Sequence, residues 1–544
     1  MTMPTTLIFG AALGVPSAMM LACVSRRLRG ALSPYLGLGA APALVAAVAA
    51  NPGERLVMGH GRLAFHLMLD APGALLLGTA ALLWMLAGFF ASRATSDSAA
   101  SGGFVVCWTM TMTGSVGVFL AADVVSLYFL LAVLSVGACG LILHGDGPRP
   151  RYAAGLYLGV ALLAESFVLA ALILMVRATP GGSLVIADVA SALPGSPWRD
   201  TTMALLLIGL GMKVGIIPFH FWMTYAYGTA TTPAAAVLSG AVVKAGVIAL
   251  LRFLPFAHPS PDVGIPMAVL GMVGAFYGVA MGITQYRSKI VLAYSSVSQM
   301  GLLFAVIGMG LAAGHPGAVA ASAFYAAHHL LVKGTLFLSV GVIALSGPRL
   351  SRGVLIPTAI VALSLGGLPL TGGVLAKCAA KGVLGDGWAG SLGAASSVAS
   401  ILLMLHFTRC LSAMRNAEPG AVVRAPFVAT WLAMVLACLL VPWVIPLAMP
   451  TCAPREVLAP GALWSALWPV LVGGILAVAW QRWGRSMPEA PAGDAVDALR
   501  LPLRIGAGIG RCSECVDTLV RGWSVSSLTL LLTVLVLFGM LFLA

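Results

Sequence analysis

Residues 205–222 read LLLIGLGMKVGIIPFHFW. A helix needs roughly 20 apolar residues to cross a bilayer core, and this run nearly suffices. Yet Lys213 stands in its middle and Pro218 follows it by one turn and a half. An ionisable group at membrane depth is costly; it is kept where it pairs, is hydrated or carries charge. Proline removes a backbone donor and frees a carbonyl, and broken helices within membranes line protein-filled or hydrated cavities. The stretch predicts a membrane-spanning helix, interrupted beside a buried lysine.

The rest of the chain agrees. Of 544 residues, 60% are hydrophobic and 9% charged, with mean hydropathy +1.01, 64 glycines and 32 prolines. A soluble enzyme is excluded, because ordinary soluble domains are about a quarter charged. The expected fold is an all-α polytopic membrane protein of about 16 transmembrane helices. A second interrupted span reads LGGLPLTGGVLAKCAAKGVL over 365–384, where Pro369 and paired glycines precede Lys377. These broken helices are the seventh and twelfth spans. Lying five spans apart, they occupy matching places in two five-helix units, and an odd number of spans per unit forces opposite orientations, the inverted-repeat architecture of transporters. The expected organisation is N-terminal helices 1–3 over residues 1–102, a first repeat over 103–254, a second over 264–411, two further helices over 425–481, and an amphipathic cytoplasmic segment with a final span over 482–544.

A net charge of +13 raises nucleic acid as a partner, but most basic residues sit in short loops between spans. Loops on one side hold Arg26, Arg27, Arg29, Arg93, Arg149, Arg151, Arg287, Lys289 and further arginines; the other side holds only Arg55, Arg62, Arg177, Arg199, Arg252 and Arg455. The positive-inside rule places the first set in the cytoplasm and both termini outside, for a multi-pass protein of the inner (cytoplasmic) membrane. The first apolar run has its arginines after it rather than before it, and reads as a retained helix. The cysteines scatter through apolar spans as small hydrophobes, so no disulfide framework or iron–sulfur pattern is expected. Cys512 and Cys515 have CxxC spacing without a second pair; the reading is structural or incidental, with metal binding the lesser option.

Every lysine except Lys289 lies within or at the end of a span: Lys213, Lys244, Lys333, Lys377 and Lys381. Lys381 and Arg409, near span ends, can snorkel to an interface. His329 and Lys333 share a helix face at i, i+4, and His328 adjoins them; histidine titrates near neutral pH, although a lone buried histidine is more often a packing residue. Glu165 is the one acidic residue well inside a span, with Asp70 and Asp123 at span ends. Glu165 is the expected partner of Lys213, since the sixth and seventh spans are consecutive. The remaining lysines must be neutral, hydrated or paired with another subunit. With no Walker A sequence, no dinucleotide-binding glycine pattern and no cysteine array, the chain is expected to hold no redox cofactor or metal and to hydrolyse no nucleotide.

Four stretches, KVGIIPFHFWMTYAYGTATTPAAAVLSGAVVKAGVIALLR (213–252), QYRSKIVLAYSSVSQMGLL (285–303), HHLLVKGTLFLSVGV (328–342) and LPLTGGVLAK (368–377), resemble the antiporter-like, proton-conducting membrane subunits. That family serves respiratory complex I (NADH-quinone oxidoreductase), group 4 membrane hydrogenases, formate hydrogenlyases and Mrp-type sodium/proton antiporters. The resemblance covers roughly residues 70–415 and implies a half-channel in each repeat, joined by a mid-membrane line of lysines, histidine and glutamate. It assigns Lys213, Lys244, His329, Lys333 and Lys377 to that line, with Pro218, His220, Lys289 and Pro369 in supporting positions. There is one departure. In YFLLAVLSVG (128–137), Ala132 stands where the family's fifth helix carries a glutamate, and Glu165 on the sixth helix resembles the substitute some members use.

The leading reading is thus a proton- or cation-translocating subunit, without a redox site of its own, in a redox-driven complex; its partners would be other membrane subunits, the lipid bilayer and, indirectly, a peripheral redox arm, with no nucleic acid. The alternative is a Mrp-type sodium/proton antiporter or the proton-conducting partner of an inorganic-carbon transporter. A third is a structural subunit whose channel has decayed, which the missing glutamate would allow. The tail over 482–544 suits an interfacial helix along a neighbouring subunit, or equally a tether for the last span.

Overall fold

A backbone in lipid must satisfy its own hydrogen bonds, so apolar runs of this length fold as helices. The computed structural model of the chain describes residues 5–50, 53–58, 64–94, 101–147, 149–346, 348–414, 425–445 and 452–483. All lie in the unit Met1–Ala490. Arg62, Cys512, Cys515, and the amphipathic segment and last span from residue 484 onward, lie outside the described residues.

The N-terminal layer comprises α1 (Thr5–Ala22), α2 (Arg26–Leu32), a 3-10 turn leading into α3 (Ala41–Ala49), a hairpin of β1 (Arg55–Met58) and β2 (Phe65–Met68), and α4 (Ala71–Ala94). Then come α5 (Ser101–Leu120), α6 (Val124–Leu143), α7 (Pro150–Ala178), the short α8 (Ile186–Ala192), α9 (Arg199–Val214), α10 (Phe221–Thr229), α11 (Thr232–Val237) and α12 (Val243–Phe253). The remainder is α13 (Pro261–Gly282), α14 (Ser288–Ala313), α15 (Ala318–Ala344), α16 (Pro348–Ser364), α17 (Gly372–Leu384), α18 (Trp388–Met414), α19 (Ala425–Val444), α20 (Pro454–Val457) and α21 (Pro460–Trp483). Among the described residues, twelve helical stretches are long and apolar enough to cross a membrane, counting α2–α3 and α11–α12 as one each. Two shorter helices, α1 and α16, are also apolar, and the seventh and twelfth expected spans fall on the interrupted pairs α9/α10 and α16/α17. Hydroxyls within spans bond back to the helix, as Thr111 does to the Cys107 carbonyl at 2.6 Å and Thr335 to that of Leu331 at 2.8 Å, which satisfies them without water. The α11–α12 span and α15 are buried along their length, whereas α21 exposes most of its surface. These two most deeply buried spans carry Lys244, His329 and Lys333.

Beside the helices, the described residues hold one hairpin, in which Arg55 pairs with Met68 and Met58 with Phe65. Two readings need correction. Arg252 lies at the end of α12 rather than in a loop. Its guanidinium donates to both Asp70 carboxylate oxygens, at 3.0 and 2.9 Å, and to the carbonyls of Val118, Phe119 and Ala121 at the end of α5. Cys378 and Cys452 form a disulfide, although they are 74 residues apart, with Cα atoms 6.1 Å apart. Such a pairing has no spacing signature, because it depends on the segment before α20 folding back on α17.

Candidate functional site

The seventh span breaks directly after Lys213. Gly215, at φ 78°, turns the chain, and the amides of Gly215 and Ile216 both donate to the Gly211 carbonyl. Across the break, the Trp222 indole donates to the Met212 carbonyl at 2.9 Å, satisfying an acceptor at the α9 end. Lys213 thus sits in the last turn of α9, where carbonyls point at a cation. Its Nζ lies 2.7 Å from Glu165 Oε1 on α7, and it donates to Ser135 Oγ on α6 at 2.8 Å. Ser135 in turn donates to the same Glu165 oxygen at 2.6 Å. The ion pair is almost wholly enclosed, with side-chain exposures of 9% and 6%. A cavity of about 20 Å³, room for roughly one water, touches Ser135, Tyr157, Lys213 and Trp222.

Lys244 begins α12 behind a π-turn, Leu238–Val242, an irregularity often found at functional sites. The turn leaves the Ser239 carbonyl within 3.3 Å of Lys244 Nζ. The same Nζ lies 2.7 Å from His329 Nδ1 on α15. One turn along α15, Lys333 Nζ donates to the Leu292 carbonyl of α14 at 2.9 Å. Lys244, His329 and Lys333 are completely buried, and their hydrogen bonds among the described residues run to carbonyls and to one another, none to a carboxylate.

At the other end, α17 starts so close to α16 that a Cβ on Gly373 would lie 1.7 Å from the Ser364 carbonyl oxygen. Between them, Pro369 is followed by Leu370 at φ 61°, a conformation costly for a branched residue. Lys377 follows on α17. Its Nζ is shielded from solvent and makes no hydrogen bond among the described residues, with the Tyr325 ring centroid 5.8 Å away. Tyr325 donates to Gln299 at 2.5 Å and Gln299 to Ser400 at 2.9 Å. His328 lies 3.4 Å from the Ser364 hydroxyl.

The structure thus brings Glu165 to Lys213 and Lys244 to His329, and puts Lys333 one turn further along. It leaves two supporting residues elsewhere. His220, at the start of α10, packs edge-on to Tyr277 at 4.9 Å. Lys289 ties loops together through Asp146 at 3.2 Å and the Ala230 carbonyl at 2.9 Å. Lys381 is exposed, 3.9 Å from Asp386. Sequence reasoning misses Ser135, although it stands one turn beyond Ala132 on the same helix face. No run of sequence marks Gln299, Tyr325 or Ser400. Cys378 and Cys452 lie near Glu456, but their sulfurs are bonded to each other and offer no thiolate to a metal.

Two interrupted spans with lysines in or beside them define a class of polytopic helical membrane protein. Within that class, the chain belongs to the NADH:quinone oxidoreductase/Mrp antiporter transmembrane family, whose profile matches residues 121–405, more than half of its length. It is 32% identical over 247 residues to NADH-quinone oxidoreductase subunit N of Desulforudis audaxviator, covering 44% of this chain and 48% of that protein. It is 29% identical to the same subunit of Salinispora tropica (58% and 65% covered), and 31% identical to a probable K(+)/H(+) antiporter subunit of Rhizobium meliloti (42% and 44%). The matches thus span about half to two thirds of these relatives. In structure, it is similar to a chain of the Mrp complex from Dietzia sp. DQ12-45-1b, with TM-score 0.75 and 25% identity over 98% of this chain and 62% of that one. A chain of the membrane-bound sulfane sulfur reductase (MBS), an archaeal respiratory membrane complex, shares the fold at TM-score 0.67 and 17% identity, covering 87% of this chain and 99% of that one.

Proposed function

We propose that this chain is the proton- or cation-translocating subunit of a redox-driven, multi-subunit membrane complex, and that Glu165, Lys213, Lys244, His329, Lys333 and Lys377 form its relay. The observation that carries the reading is the 2.7 Å contact of Lys244 with His329, two titratable groups fully buried and without a carboxylate among their contacts. A merely structural lysine would be matched by a counter-charge; these can hold a proton only transiently, which suits a carrier. In this reading Glu165 and Lys213 load the proton, Lys244, His329 and Lys333 pass it laterally, and Lys377 releases it. The coupling is electrostatic, because a charge on one member alters the cost of a charge on the next. Pro218 and Pro369 hold the two breaks open, while His220 and Lys289 support the surrounding fold.

The two repeats, 103–254 and 264–411, would be related by inversion, one half-channel in each. The membrane is the inner one with both termini outside, an orientation drawn from the basic loops. The Cys378–Cys452 bridge supports it independently. By span count, its loop lies opposite the arginine-rich side, and disulfides persist in oxidising compartments. A Mrp-type antiporter is the second reading, favoured by the likeness to the Mrp complex over 98% of this chain.

Two measurements test these readings. Purification from native membranes in mild detergent, followed by mass spectrometry, should recover peripheral redox subunits; recovery of small hydrophobic subunits alone selects the antiporter. In the intact complex, Lys213→Ala should lower proton translocation by about a hundredfold, the scale of a positioned proton carrier. An unchanged rate in Lys213→Ala would leave only the structural-subunit reading.

A further inference from the structure

Beyond Lys377 lies a feature that the relay does not use. A cavity of about 520 Å³ is lined by Lys377, Cys378, Lys381, Ser397, Glu456 and Ser465, on α17, α18, α20 and α21. It is large enough for many waters. Lys377 is half-buried and lines this cavity, while its Nζ is shielded from solvent and lacks a hydrogen-bond partner among the described residues. Glu456 is exposed and is the one carboxylate on that wall. The disulfide joins Cys378, the residue after Lys377, to the segment preceding α20, and Glu456 Oε2 lies 3.9 Å from Cys452 Sγ. Glu456 is thereby anchored covalently to the helix that carries Lys377. The other charged groups at this end are Lys381, 3.9 Å from Asp386, and the exposed Arg455.

From this arrangement we infer that Glu456 is the exit carboxylate of the relay: it attracts the proton that Lys377 gives up to the cavity water and returns it to bulk solvent, and the Cys378–Cys452 bridge holds it in place. The inference rests on the relay reading. It explains why Lys377, unlike Lys213, has no contacting carboxylate. A carboxylate in contact would retain the proton as an ion pair, whereas one across a hydrated cavity draws it outward without trapping it. The step requires the Lys377 ammonium to turn from its shielded position into the cavity, where its proton passes through water to the carboxylate, with no change in redox state. The bridge contributes position only.

The test uses the intact complex in liposomes, with proton movement driven by a valinomycin-imposed potassium diffusion potential and read by trapped pyranine. Lys377→Ala should abolish movement. Glu456→Gln should slow it about tenfold, less than the full contribution of a positioned carrier because cavity water offers a bypass. Glu456→Asp should restore most of the rate, and Cys378→Ser with Cys452→Ser should fall between. Mass spectrometry of peptides under non-reducing conditions should recover Cys378 linked to Cys452. A wild-type rate in Glu456→Gln, with Lys377→Ala inactive, overturns the exit role and leaves the relay standing; failure of Glu456→Asp to rescue also overturns it. Two free thiols overturn the strap, and a wild-type rate in Lys377→Ala overturns relay and exit together.

Discussion

Ser135 answers the question posed by Ala132. The fifth span lacks the family's glutamate, but one turn further on its hydroxyl donates to Glu165 and accepts from Lys213, so the same helix still contributes to the pair. The charge has moved to α7 while α6 retains a hydrogen-bonding role. Removing the hydroxyl leaves a buried carboxylate with one partner fewer, at about 2 kcal/mol for a bond to a charged group. Ser135→Ala should therefore slow proton translocation by roughly tenfold to thirtyfold, that energy expressed as a rate, and less than Lys213→Ala does. A vesicle assay comparing the two variants checks this, and equal losses would mean that Ser135 is indispensable to loading. The Lys213–Glu165 pair is legible in sequence because both residues are ionised intruders in apolar runs on consecutive spans. Ser135 is not, since serine occurs in spans for many reasons and only proximity singles it out.

The two interrupted helices are built differently. In α9/α10 the lysine precedes the break, in the last turn of the first half; in α16/α17 the lysine follows it, inside the second half. Sequence shows both breaks through proline and glycine, but not how tightly the halves approach. At Gly373 the approach leaves no room for a side chain, since an added Cβ would sit 1.7 Å from the Ser364 carbonyl oxygen. Gly373→Ala must push α17 away from α16. The expected cost is about 1 to 3 kcal/mol, as for overpacking a filled site. Thermal unfolding of the purified protein should show a lowered midpoint, together with slowed translocation because Lys377 moves with α17. An unchanged midpoint would mean that the break opens freely. The π-turn before Lys244 is a related device, invisible in sequence because LSGAV reads as ordinary helix.

At the scale of the whole molecule, Arg252 and Asp70 clamp the N-terminal layer to the helices that follow it, joining the start of α4, the end of α5 and the end of α12. Burial would raise the Asp70 carboxyl, but the Arg252 charge and the hydrogen bonds from Arg252 and Gly73 hold it below the usual carboxylate range. The sign follows: the stabilisation is complete above an unfolded carboxylate value of about 4, and is lost as the pH falls through the lower folded value. Asp70→Asn should cost about 3 kcal/mol at neutral pH, since it leaves a buried guanidinium without its counter-charge. It should also remove part of the acid dependence of the unfolding midpoint, which thermal scans between about pH 3 and pH 7 measure. A midpoint equal to wild type throughout would show that the clamp contributes nothing.

Sequence alone determined that the chain crosses the membrane repeatedly, that two of its spans are interrupted, and which lysines and histidines lie at depth. These are properties of a single apolar run, because the bilayer penalises each polar residue where it stands. The tertiary structure alone decided that Ser135 completes the Lys213 pair, that Lys244 meets His329, that Arg252 is buried against Asp70, and that Cys452 returns to Cys378 to set Glu456 over the Lys377 cavity. Each of these joins residues far apart in the chain, through contacts made only when helices pack. A run of sequence encodes what a residue costs in lipid, but the partner that offsets this cost is chosen by the fold.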